Sequence, residues 1–101
     1  MGTIIHHAII ATSCTDDFSE LVTLVGARGD CWISNPGING YLTFFLAPDG
    51  SKEYWPESDI GDDLRNDVVA WLSRDEFYGE WCEIAMGELP GSDGVLVTRR
   101  R

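Results

Sequence analysis

GYLTFFLAPDGSKEYWPESDIGDDLRNDVVAWL, residues 40–72, contains the strand, the turn and the helix from which the fold is read. Over 40–47 the apolar residues alternate, with Leu42, Phe44 and Leu46 on one face and Tyr41, Thr43 and Phe45 on the other, which is the period of a β-strand. Pro48-Asp49-Gly50-Ser51 follows as a hairpin turn, because proline presets one turn position and glycine takes a positive φ. A return strand is then expected over 52–55, ended by Pro56. Beyond it Ser58 can cap a helix whose apolar stripe is Ile60, Leu64, Val68, Trp71 and Leu72. The opposite face of that helix carries Asp59, Asp62, Asp63 and Asp67, so these carboxylates are expected together in space as well as in sequence.

Working outward, residues 3–12 are rich in Ile and β-branched side chains and predict a strand buried on both faces, central in a sheet. Ser13 or Thr15 can cap a first helix that turns Phe18, Leu21, Val22 and Val25 inward, with Asp16 and Asp17 favouring its start and Gly26 and Gly29 ending it. A short strand over 31–34, a turn at Asn35-Pro36-Gly37, and strands over 80–86 and 94–98 joined by a loop through 89–94 complete the order β-α-β-β-β-α-β-β. The economical packing is a single acidic α+β domain over 1–101: a mainly antiparallel sheet with two helices on one face, related to ferredoxin-like folds. A chain of 101 residues suits one domain, and 44% apolar content places it among folded chains despite its charge.

Thirteen of the seventeen acidic residues lie between Asp49 and Asp93, opposed there by Lys52, Arg65 and Arg74 alone, so this window holds the whole net charge of −10. Such a field repels nucleic acid and attracts basic surfaces, and direct nucleic-acid binding is not expected. The longest apolar run falls far short of the roughly 20 residues that cross a bilayer. The first residues show neither a basic start nor a small-residue cleavage site, so no membrane partner and a cytoplasmic location are expected. Cys14, Cys31 and Cys82 are odd in number and lack CxxC spacing, which fits buried, reduced thiols better than a disulfide framework.

Each constellation that could carry chemistry has a plainer reading beside it. His6 and His7 are adjacent, so on a strand they point to opposite faces and cannot chelate one metal together. A nucleophile pair of His7 with Cys14 or Cys31 would require the fold to join them, and nothing local lowers a thiol pKa. Glu57, Asp59, Asp62 and Asp63 do not have the alternating spacing of an EF-hand loop, and carboxylates favour a helix N-terminus in any case. Asp49, Lys52 and Glu53 stand in the wrong order for a metal-dependent nuclease, which would also need a basic surface. Arg28-Gly29-Asp30 reads as a helix end and turn, and Arg99-Arg100-Arg101 as a frayed, solubilising tail. No catalytic residue, cofactor site or metal site is assigned. Trp71 belongs to the expected core, whereas Trp32, Trp55 and Trp81 fall on short or edge-like segments that leave an indole partly exposed.

At Ile5-His6-His7-Ala8-Ile9, and above all over GYLTFFLAPDGSKEYWPESD (residues 40–59) continued by IGDDLR, the chain resembles the short acidic hypothetical proteins of tailed phages. The resemblance implies phage origin and action inside a bacterial host, and it carries over no catalytic residue. Joined to the charge, it leads to the expectation of a non-enzymatic acidic inhibitor of a basic host or defence protein, in the manner of an anti-CRISPR DNA mimic. Glu57, Asp59, Asp62, Asp63 and Asp67 would stand where phosphates stand and pair with Arg or Lys, with Trp55 as a desolvated anchor. The active species is expected to be a monomer or homodimer. The alternative is a small-molecule or nucleotide-binding protein, a sponge or a hydrolase, with a pocket near His6 or His7, Tyr41 and a Trp.

Overall fold

The computed structural model describes residues 4–52, 54–87 and 94–101. In chain order they form β1 (Ile5–Ser13), α1 (Ser19–Val25), β2 (Cys31–Ile33), β3 (Leu42–Leu46), α2 (Pro56–Leu72), β4 (Glu80–Gly87) and β5 (Val95–Arg100), with 3₁₀ turns at Gly26–Arg28 and Ile38–Gly40. The result is an α+β domain whose five strands make one antiparallel sheet ordered β2-β3-β1-β4-β5. β1 is central, as its apolar composition predicts. The connection β1-α1-β2 passes over β3, and β3-α2-β4 passes over β1, so two βαβ units interleave.

Register decides which side chains share a face, because directly opposed residues point the same way. Ile9 opposes both Leu46 and Glu83, and Ala11 opposes both Phe44 and Trp81. These residues form the covered face, and all but Glu83 pack in one core with Phe18, Leu21 and Val25 from the α1 segment, Leu64, Val68, Trp71 and Leu72 from α2, and Phe77. At 7 residues α1 is too short to persist alone, so burial of Leu21 and Val25 is what holds it. The other face of β1 presents His6, Ala8, Ile10 and Thr12, and neither helix lies on it. Burial on both faces of β1 therefore holds only locally: Ala8 and Ile9 are buried, but Ile10 is 38% exposed.

Several expectations are corrected. No return strand forms over 52–55; among the described residues there is only an isolated bridge from Lys52 to Ile4. The reason is topological, since β3 already has β2 on one edge and β1 on the other and has no edge left to pair. Instead Tyr54 takes a positive φ of 69° and the chain enters α2 at once, with Pro56 in the first turn where its fixed φ suits a helix. Ser58 is not the cap but a buried residue inside α2, and Trp55 holds the cap position without a side-chain bond. The inward face of α2 is Ser58, Gly61, Leu64, Arg65, Val68, Trp71 and Leu72, leaving Ile60 52% exposed. Neighbouring helix residues are about 100° apart, so a face centred on Gly61 and Val68 puts Ile60 on the flank.

In α1, neither Ser13 nor Thr15 caps the helix. Phe18 occupies the cap position in a left-handed conformation, and its N–H and that of Ser19 donate to Asp16 and Asp17. Ser13 instead accepts from the N–H groups of Thr15 and Asp16. Val22 points outward. Trp81 is buried, not partly exposed, because β4 is an interior strand and Trp81 faces the helices beside Ala11. The arginine run is no frayed tail: Arg99 and Arg100 extend β5. Thr3, Glu53 and residues 88–93 of the expected β4–β5 loop lie outside the described residues.

Candidate functional site

All five carboxylates singled out on α2, Glu57, Asp59, Asp62, Asp63 and Asp67, are exposed. Two are engaged within the fold. Arg28 Nη1 donates to Asp67 Oδ2 at 2.7 Å, tying the end of the first helical segment to α2, and Arg65 Nη2 donates to Asp62 Oδ1. Among the described residues Glu57, Asp59 and Asp63 make no ion pair. Glu57 and Asp59 sit in the first turn of α2, where the helix dipole favours negative charge.

Beside these acids, Trp55 is 48% exposed and Ile60 is exposed as well. Both line a groove of about 390 Å³ with Arg28, Asp49, Gly50, Ser51 and Glu57. Lys52 Nζ lies 5.0 Å from the centre of the Trp55 ring, a cation–π contact that shows what this indole can hold. Asp49 Oδ1 accepts from the Ser51 N–H at 2.9 Å and the Ser51 hydroxyl at 2.7 Å. Burial pushes the Asp49 carboxyl up, but the Ser51 hydrogen bonds and the charge of Arg65 outweigh it and hold it below the usual carboxylate range. Asp49 is thus a permanent negative charge at neutral pH. Trp55 and Ile60 beside the carboxylates of Asp49 and Glu57 suit the stem and head of a long Lys or Arg side chain, which would share the lining with Arg28 and compete with Lys52 for the indole. Ile60 was missed as part of this site because its i, i+4 spacing to Leu64 reads as core.

A second polar cluster is buried beneath α2. Glu83 accepts from Arg99 through Nε at 3.0 Å and Nη2 at 2.7 Å, and from the Thr98 hydroxyl at 2.6 Å. Arg65 Nε stands 3.7 Å from the same carboxylate, with side-chain exposures of 9% for Arg65 and 6% for Glu83. Burial pushes the Glu83 carboxyl up, but hydrogen bonds from Arg99 and Thr98 and the charges of Arg99 and Arg65 hold it below its ordinary range; Arg99 is raised in return by its hydrogen bond to Glu83. Arg99 also donates to Asn66 Oδ1 of α2 at 2.8 Å. Two guanidinium groups are balanced by Glu83 and Asp62, so the cluster clamps α2 and β5 onto β4 and leaves little charge for a ligand. Nothing local in the sequence marks it.

The remaining candidates are not brought together. His6 opposes Met86 on the open face of the sheet and His7 opposes Ala85 on the covered one, so the two do point apart. Tyr41 immediately precedes Leu42, which pairs with Ser13 at the far end of β1, about 20 Å from the histidines by strand rise. Cys14 lies beyond that same far end. Cys31 is on β2, separated from β1 by β3 and hence about 10 Å from it. Burial, aided by the charge of Asp30, pushes the Cys31 thiol up, which is the reverse of an activated nucleophile. Cys14 is exposed, not buried as expected, and its hydrogen bond raises the Tyr41 hydroxyl. Among the described residues no three His, Cys, Asp or Glu side chains converge as a metal site, and no helix is long and apolar enough to cross a membrane.

No protein-family model matches the chain, and neither a curated protein nor a solved structure is significantly similar to it.

Proposed function

We propose that the chain is a non-enzymatic binding protein that docks onto a basic surface of another protein through the outer face of α2 and the groove between Trp55 and Ile60. The observation that carries this reading is the company these two apolar side chains keep: both are exposed among Glu57, Asp59 and Asp63, none of which is ion-paired among the described residues. Exposed aromatic anchors ringed by charge are the anatomy of an interface hot spot. Asp59 and Asp63 stand four residues and about 6 Å apart along the helix and offer two negative charges suited to an arginine-lined nucleic-acid channel, with Asp67 next in line but tied to Arg28. With the phage resemblance, the reading becomes a phage-encoded inhibitor that covers the nucleic-acid site of a host or defence protein.

The test is capture of partners from a bacterial host lysate by the tagged chain at low and high salt. A basic nucleic-acid-binding protein held at about 0.05 M salt and released at about 0.5 M is expected, because exposed charge pairs are screened within a few ångströms at high ionic strength. Reversing Glu57, Asp59 and Asp63 to Lys should abolish capture without disturbing the fold, and Trp55→Ala should weaken it about tenfold or more. Asp62 and Asp67 are left intact, since they hold Arg65 and Arg28. Capture that survives the triple reversal refutes the reading.

A further inference from the structure

We infer that the open face of the sheet is the interface of a homodimer in which two sheets pack face to face. The inference does not rest on the partner reading, which concerns the opposite side of the molecule. On this face Ile10, Trp32 and Val97 are 38%, 59% and 51% exposed, and Trp32 stacks on Phe45 with ring centres 6.1 Å apart. The only carboxylate or cationic side chains that register places here within the strands are Glu80 and Arg100, opposite in sign. Among the described strand residues the acids and bases of this face thus cancel, and Ile10, Trp32, Phe45, Ile84 and Val97 make it largely apolar, in a chain of net charge −10. Among the described strand residues Glu80 and Arg100 are the charges this face offers a partner, and they offset each other.

A second copy fits both the chemistry and the charge. Packing sheet on sheet turns each α2 outward, and with sheets about 10 Å apart and helices about 10 Å across, the two acidic faces end on the order of 30 Å from each other. That distance is several Debye lengths of about 8 Å, so the like charges scarcely repel. Thirty-one strand residues, each covering about 16 Å² of sheet, give about 500 Å² per copy and 1,000 Å² per pair, the size of a modest specific interface. Because β1 is the central strand, a two-fold axis along it stacks the β2 edge of one copy on the β5 edge of the other. Trp32 of one copy then meets Val97 and Arg100 of the second, and the contact repeats reciprocally.

Sedimentation velocity of the chain from about 1 to 500 μM is the test, an interface of this size being expected to have a micromolar Kd. A species of twice 11.2 kDa is expected at the upper end. Val97→Lys should raise its Kd at least tenfold, and Trp32→Glu at the other edge should do the same. Leu96→Lys is the control: Leu96 and Val97 are each 51% exposed and adjacent, but Leu96 opposes Ala85 and points to the other face, so this variant should dimerise normally. About 0.5 M salt should leave the dimer intact or tighten it. A chain monomeric at every concentration, a dimer indifferent to Val97→Lys and Trp32→Glu, or one lost equally with Leu96→Lys as β5 edge pairing would require, overturns the inference.

Discussion

Replacing Glu83 by Ala tests the account of what holds the fold together. The mutation removes the carboxylate that accepts from Arg99 at 2.7 and 3.0 Å and from Thr98 at 2.6 Å. It leaves Arg65, 9% exposed, with Asp62 and the nearby Asp49 as its remaining counter-charges. Breaking a buried pair from one side costs about 3–5 kcal/mol, because the surviving charge is still desolvated. Against a total stability of roughly 5–15 kcal/mol for a domain this size, that is a fifth or more, and it should lower Tm by at least about 12 °C. Circular dichroism with heating or urea at pH 7 measures it. The triple variant Arg65→Met, Glu83→Leu, Arg99→Met should recover most of the loss, since an apolar replacement of the whole cluster also removes the desolvation cost. The pH dependence follows from the depressed Glu83 value: its contribution is complete above the ordinary value of 4.5 and fades as pH falls through the lower folded value. Asp49 acts in the same direction. Glu83→Gln should therefore flatten part of the loss of stability below about pH 4.5. A cost under about 1 kcal/mol for Glu83→Ala, or an unchanged acid limb for Glu83→Gln, would refute the clamp.

Three further substitutions separate packing from pattern. Leu64→Ala should cost about 2–5 kcal/mol, whereas Ile60→Ala, one turn earlier on the same apparent stripe, should stay within about 0.5 kcal/mol; equal losses in urea denaturation would show that the phase assigned to α2 is wrong. Gly79→Ala should destabilise by roughly 1–3 kcal/mol, because a Cβ there would fall on the Thr12 carbonyl oxygen and 2.7 Å from the Phe77 ring. A melting temperature within a degree or two of the parent would contradict that close approach.

Much of the chain was legible locally. The alternation of Leu42, Phe44 and Leu46 gave the correct inward face of β3, and the exposed acids of α2 lie where charge and spacing put them. Pro56 was a true boundary, although it opens a helix where a strand end was expected. Illegible features have one cause in common. Whether 52–55 could pair depended on a free edge of β3, which chain order does not reveal. Ile60 left the core because the inward face of α2 is set by Gly61 and by Arg65 reaching Glu83, eighteen residues along the chain. The supposed tail residue Arg99 became structural for the same reason, through a carboxylate on a neighbouring strand.

The amino-acid sequence by itself determined the α+β class, the two helices, the alternation within strands and the confinement of negative charge to one stretch, because periodicity, turn chemistry and composition act over a few neighbouring residues. Only the tertiary structure decided the order β2-β3-β1-β4-β5, the rotation of α2, the arginine clamp on Glu83 and the gathering of both helices on one sheet face. Those depend on which distant surfaces bury each other. That choice is made by the sum of packing, desolvation and available strand edges over the whole chain, and no local pattern records it.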